Sequence, residues 1–246
     1  MSKKGYAIVR GGCSGVGREI SLRLAREGYD IVGNFADENQ AWKGEALVRD
    51  VEALGRRCVV HNGDLRDYQN VADLIALAKV SFGDDLAVFV NNGGIFDGKR
   101  LPDLEVWEYE ELTAIHINAL LHCAREARPL LAGTGGCFVN VTAVACPPEG
   151  ETMDYGLEKA LFDVFTRSLA GTLEPDGIRV NSILSAMVPA PGEEPPPPAP
   201  PAGPGHDRMC GPFSDKGDTD QICDCLMQMI GAPYMSGQVI SPDIRL

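Results

Sequence analysis

The chain has 246 residues, 44% of them hydrophobic and 23% charged, a composition that builds a packed core and excludes a disordered chain. Its 22 Lys and Arg stand against 35 Asp and Glu, a formal net charge of −13, which argues against a sequence-independent grip on nucleic acid or on an anionic membrane. No apolar run approaches the roughly 18 residues of a membrane span, and the stretch Tyr6 to Val9 is too short for a secretory leader, so the expected address is the cytoplasm.

Short apolar runs alternate with helix-length amphipathic segments, the pattern of a parallel sheet covered by helices on both faces. The first strand is expected at Tyr6 to Val9. After a glycine-rich turn, Val16, Ile20 and Leu24 recur at helical spacing, and Gly28 supplies the stop. A strand follows at Asp30 to Phe35, then a helix at Ala41 to Leu54, a strand at Cys58 to His61, a helix near Asn70 to Phe82, and the apolar strand Leu86 to Val90. Trp107 to Leu131 reads as one helix, Gly136 to Thr142 as strand, Tyr155 to Leu173 as helix and Ile178 to Leu184 as strand. A short helix near Asp220 to Ile230 and a strand at Gln238 to Ser241 close the chain. The expected fold class is α/β, doubly wound and Rossmann-type, with a parallel sheet of about seven strands in one domain spanning 1–246.

Nine of the 17 prolines fall between Pro189 and Pro204, where neither helix nor central strand can form. Segment 189–218 therefore reads as an extended insert rather than a domain. The eight cysteines are scattered through a chain long enough to stabilise itself without disulfides, and are expected as reduced thiols. His206, Cys210, Cys223 and Cys225 form a loose grouping whose spacing matches none of the usual zinc patterns, so no metal site is expected.

Gly11, Gly12, Gly15 and Gly17 lie between the first strand and the first helix, where a tight turn lets backbone approach a pyrophosphate and aims amides at it. A triphosphate loop nearly fits the separation of Gly12 and Gly17, but Arg18 and Glu19 stand where Lys and Ser or Thr are required. Dinucleotide binding also explains the glycine at 15, which a triphosphate loop does not need.

These residues resemble the short-chain dehydrogenase/reductase family. Five local matches fall in the family's order: Gly11-x3-Gly15-Val16-Gly17, Asp64-Leu65, Asn91-Asn92-Gly93-Gly94, Asn118 within a helix, and Tyr155-x3-Lys159. Further similarity runs through Ile178 to Asn181 and Tyr234 to Asp243. The sequence departs from the pattern in four places. Arg10 replaces a Thr, Gly93 replaces an Ala, and Ser185-Ala186 replaces a Pro-Gly. At the catalytic Ser, counting back from Tyr155 points to Thr142, whereas counting forward from Asn140 points to Ala143, with Thr142 slightly preferred.

The resemblance implies a nicotinamide-dependent oxidoreductase acting on a ketone or secondary alcohol, with Tyr155 as acid/base and Thr142 polarising the substrate oxygen. Residues four apart share a helix face, so Lys159 lies near the Tyr155 phenol, where its charge favours phenolate. By carry-over, Lys159 would also bond the nicotinamide ribose, and Asn118 would hold a water behind it. The adenosine half would meet Asp64, Leu65, Asn91 and Gly93, the pyrophosphate Gly11, Ser14, Gly15, Val16 and Gly17, and the nicotinamide amide the backbone at Val188. At the strand end before Asp37, Asn34-Phe35 offers no acid for a ribose 2′-hydroxyl, and Arg10 could swing toward a 2′-phosphate or pair with a surface carboxylate; NADP is weakly favoured over NAD. Met187, Val188, Met209 and Phe213 suit a hydrophobic or cyclic substrate, and a homodimer or homotetramer is expected by resemblance. The alternative is a dinucleotide-binding protein that has lost catalysis and works by sensing or scaffolding.

Overall fold

A computed structural model describes residues 4–36, 38–93, 105–144, 153–186, 211–212, 219–242 and 244–245; within these, side chains are not described at 112, 143–144, 153–160, 186, 211–212 and 244–245. The insert therefore falls outside the described residues apart from 211–212, and so do Asp37, Val188, His206 and Cys210.

Strand β1 (Tyr6–Arg10) is buried at every residue. Its side chains alternate: Tyr6 and Ile8 enter one core, Ala7 and Val9 the other, as a strand covered on both faces requires. Helix α1 (Gly15–Arg26) returns the chain, and at Gly28 (φ 103°) it turns into β2 (Asp30–Phe35). Helix α2 (Ala41–Ala53), β3 (Cys58–Asn62), α3 (Tyr68–Phe82) and β4 (Leu86–Asn92) continue the alternation. Then come α4 (Val106–Thr113), a π-helical turn (Ala114–Asn118), α5 (Ala119–Ala132), β5 (Cys137–Val144), α6 (Met153–Leu173) and β6 (Arg179–Ala186). The short β7 (Gly211–Pro212), α7 (Thr219–Gly231), β8 (Val239–Ile240) and β9 (Ile244–Arg245) complete the described chain.

Seven strands form one sheet in the order β3-β2-β1-β4-β5-β6-β8, with every pair parallel. Helices α1, α2 and α7 cover one face through Ile20, Leu24, Leu47, Val51, Ile222 and Met229. Helices α3, α5 and α6 cover the other through Leu74, Ala78, Cys123, Ala127 and Leu173, over the stacked rings of Phe89 and Phe138, 4.9 Å apart. Each fully buried aliphatic or aromatic side chain contributes about 1.5–3 kcal/mol. The expected doubly wound fold is thus the observed one, with strand and helix ends within about two residues of expectation.

Two features were not anticipated. The single helix expected at 107–131 is interrupted by the π turn, and β7 pairs antiparallel with β9 in a separate two-stranded ribbon. Strands of two residues carry too few side chains to show an alternation.

Candidate active site

The chain runs outward from β1 through β2 to β3, then crosses back to place β4 on the other side of β1. In such a sheet the crevice beyond the strand ends opens where the order reverses, between β1 and β4. Four predicted residues stand there: Gly11 and Gly15 after β1, and Asn91 and Gly93 at the end of β4.

The turn is built by steric necessity. A Cβ on Gly17 would overlap the Gly11 carbonyl oxygen, and one on Gly12 would sit 2.7 Å from the carbonyl oxygen of Val9. The helix can approach the strand this closely only with glycine at both positions. The Ser21 hydroxyl locks the packing by sharing its one proton between the carbonyls of Gly12 (3.1 Å) and Gly17 (2.9 Å). Gly15 is different: its φ is +52°, and among the described residues nothing beyond its own turn lies within 4 Å of where its Cβ would be. Open space over a left-handed glycine at a helix N-terminus has the shape and the amide donors that suit a phosphate group. Ser14 caps α1 in an extended conformation and its side chain makes no capping bond. Val16 packs on the core below. Arg18 pairs with Asp50 and Glu19, in keeping with the rejection of a triphosphate loop.

Asn34 is buried, and its Nδ2 donates to the carbonyl oxygen of Gly63 (3.0 Å) and lies 3.4 Å from Nδ1 of His61. It fastens the end of β2 to the exit of β3, where Asp64 begins the next loop. Burial raises the Asp64 carboxyl, but hydrogen bonds and charge from Arg66, with the charge of Arg10, outweigh this and hold it below its ordinary value. The Arg66 amide and Nε donate to Asp64 at 2.9 and 2.7 Å, and its Nη1 donates to Glu111 of α4 at 2.6 Å. Leu65 is core, so only its backbone can face the crevice.

Arg10 corrects the sequence reading. It neither reaches toward a 2′-phosphate nor pairs with a surface carboxylate: it is 8% exposed, and its Nη1 donates to Asn91 Oδ1 (3.0 Å) and to the carbonyl oxygen of Ile115 in the π turn (3.2 Å). Burial lowers its pKa, yet a guanidinium stays charged at any ordinary pH. Asn91 in turn donates to Asn140 Oδ1 (3.1 Å) and Asn140 to Ser182 Oγ (3.2 Å). Ser182 bonds the Thr166 hydroxyl of α6, which reaches the carbonyl of Phe162. Sequence reasoning missed this chain, although its signal was there: Asn91, Asn140 and Ser182 are polar residues within three adjacent, largely apolar strands.

Thr142 is buried, and its hydroxyl makes no hydrogen bond among the described residues. Strand alternation puts it on the same face as Asn140, the face covered by α6. Asn118 ends the π turn and is exposed. Tyr155 and Lys159 lie one turn apart in the first third of α6; their side chains, like that of Ala143, are outside the described residues. Six cysteines are described and none of them is in a disulfide, and no metal-binding cluster exists among the described residues, where Cys223 and Cys225 are core.

A glycine cradle at the order reversal of an all-parallel sheet defines a nucleotide-binding protein of the doubly wound class. Residues 5–195 match the short chain dehydrogenase family, and the chain belongs to it. It is 30% identical over 185 residues to the 3-oxoacyl-(acyl-carrier-protein) reductase FabG of Staphylococcus aureus (strain N315), covering 74% of each chain. It is also 30% identical over 189 residues to the uncharacterized oxidoreductase YgfF of Escherichia coli (strain K12), covering 74% of this chain and 75% of that one. Among solved structures, a short chain dehydrogenase from Burkholderia cenocepacia J2315 in complex with NADP superposes with a TM-score of 0.78 at 25% identity, covering 98% and 97% of the two chains. A mutant form of a Serratia marcescens short-chain dehydrogenase/reductase reaches 0.81 at 23% identity, covering 97% and 96%.

Proposed function

We propose that the protein is an NADP-dependent carbonyl reductase that interconverts a ketone and a secondary alcohol on a small, hydrophobic or cyclic substrate in the cytoplasm. The observation that carries this reading is the open left-handed Gly15 at the N-terminus of α1, in a chain that belongs to the short-chain dehydrogenases. The cradle fits a pyrophosphate: Gly11, Ser14, Gly15, Val16 and Gly17 would offer backbone amides and the helix dipole, and Asp64, Leu65, Asn91 and Gly93 would line the adenosine side. NADP is preferred because the described end of β2, Asn34-Phe35, presents no carboxylate, and because the Burkholderia relative in structure holds NADP. When bound, the nicotinamide supplies or accepts the hydride.

The chain's own residues manage the oxygen and its proton. Tyr155 donates the proton, and the Lys159 ammonium, one helical turn away, favours its phenolate and so brings its working pKa toward neutrality. Thr142 donates a hydrogen bond to the substrate oxygen in the place the family gives to Ser. Asn118, exposed at the end of the π turn, holds a water that passes the proton on from Lys159.

The test is turnover of NADPH by purified protein against 3-oxoacyl thioesters, cyclic ketones and small diketones. At least one class should turn over, with Tyr155→Phe and Lys159→Ala each lowering kcat by about a hundredfold or more. NADPH binding without turnover on any class would replace the reductase reading with that of a cofactor-binding sensor.

A further inference from the structure

In an α-helix the amide of Ala119 would bond the carbonyl of Ile115, four residues back. Here it bonds the carbonyl of Ala114 instead, which is what makes the turn π-helical and releases the Ile115 oxygen from that bond. That oxygen is buried, and a buried carbonyl needs a donor. The donor is Arg10, reaching in from the end of β1. The other hydrogen of the same nitrogen goes to Asn91.

A guanidinium donates only, so the atom of Asn91 facing it must be Oδ1, and the amide nitrogen must face Asn140. Asn140 must then turn its own oxygen to Asn91 and its nitrogen to Ser182. One positively charged donor thus fixes the orientation of two buried amides in series, and the series ends on Thr166 and Phe162 of α6. The Thr found at this position in the resembled family can donate or accept, and would not impose the order.

We propose that Arg10 is a positioning residue that sets the two catalytic helices relative to each other. On one side it holds the π turn and so fixes where Asn118 stands. On the other it directs the Asn91–Asn140–Ser182–Thr166 chain through the sheet to the helix carrying Tyr155 and Lys159. Without it the freed Ile115 carbonyl favours return to α register, which rotates Asn118 by about 100° about the helix axis. This inference rests on the proposed catalytic roles of Asn118, Tyr155 and Lys159.

Arg10→Met keeps the apolar stem and removes the donors, whereas Arg10→Lys keeps a charged donor group. With NADPH and a substrate found in the panel above, Arg10→Met should lower kcat about tenfold while the KM for NADPH stays within about twofold, and Arg10→Lys should recover part of the loss. In parallel, amide hydrogen exchange should accelerate about tenfold at residues 115–120 and 162–170 but not in α2 or β2. Should Arg10→Met fail to fold, Ser182→Ala cuts the same chain at its far end, with faster exchange expected in α6 alone. An unchanged kcat with a lowered melting temperature, a rise confined to the cofactor KM, or exchange that spreads evenly over the protein would each overturn the proposal. If the wild-type protein turns over nothing, the reductase reading fails by itself, and the exchange measurement still decides whether Arg10 couples the helices.

Discussion

At the scale of single residues, the buried polar groups say most about how the crevice is held. His61 is half-buried on β3, with its Nδ1 at 3.4 Å from the Asn34 amide that also grips Gly63. Burial lowers its pKa from the ordinary 6.5, with the charge of Asp73 opposing. The folded state therefore binds this proton less readily than the unfolded chain, so stability rises with pH across the window below 6.5 and is complete above it. The melting temperature should fall as pH drops from about 7.5 to about 5.5, and His61→Gln should flatten part of that fall. An equally steep fall in the variant, followed by circular dichroism, would show that His61 is not the group responsible.

At the scale of elements, the strand–turn–helix of β1 and α1 separates two kinds of glycine that look alike in sequence. Gly17→Ala forces a methyl against the Gly11 carbonyl, where nothing can yield without moving the helix, and should cost about 3 kcal/mol. Among the described residues Gly15→Ala meets nothing beyond its own turn and bears only the strain of a left-handed alanine, about 1 kcal/mol, yet it fills the space a phosphate would take. Thermal melts and NADPH titration should therefore dissociate: Gly15→Ala melts close to wild type but binds more than tenfold weaker. Equal binding by Gly15→Ala would remove the cradle. The alternation of apolar runs with amphipathic segments made the sheet and its helices legible, because burial on both faces imposes that pattern residue by residue. The π turn was not legible, since its cause is a side chain 105 positions away in sequence, Arg10, and helical periodicity at 107–131 continues through it. For the same reason neither expectation for Arg10, a 2′-phosphate or a surface carboxylate, matches its place: only the three-dimensional neighbourhood reveals that it faces inward. The landmarks of the candidate site were legible as a series of short motifs, whereas the chain from Asn91 to Thr166 joins three strands and a helix that no local pattern relates.

At the scale of the whole molecule, the helices flanking the crevice present apolar surface outward. Val106 and Trp107 of α4 are 73% and 60% exposed, and Val164 of α6 is 63% exposed, while Leu121 of α5 is 39% exposed. The homodimer or homotetramer expected by resemblance would cover such side chains with a second copy of the chain, because a two-fold axis sets the same surface of each copy against its mate. Charge opposes the pairing, because each chain carries a formal −13 and two copies repel. Raising salt shortens the Debye length from about 30 Å at 0.01 M to about 8 Å at 0.15 M, which weakens that repulsion while leaving apolar burial intact. Sedimentation equilibrium should therefore show association strengthening with salt, the reverse of an assembly held by ion pairs. Trp107→Glu should shift the population to monomer at every salt concentration while leaving NADPH binding within about twofold, because the cradle lies at the ends of β1 and β4 and draws no residue from α4. A wild-type protein that stays monomeric at high salt, or a dimer indifferent to Trp107→Glu, would show that this surface is not where copies meet.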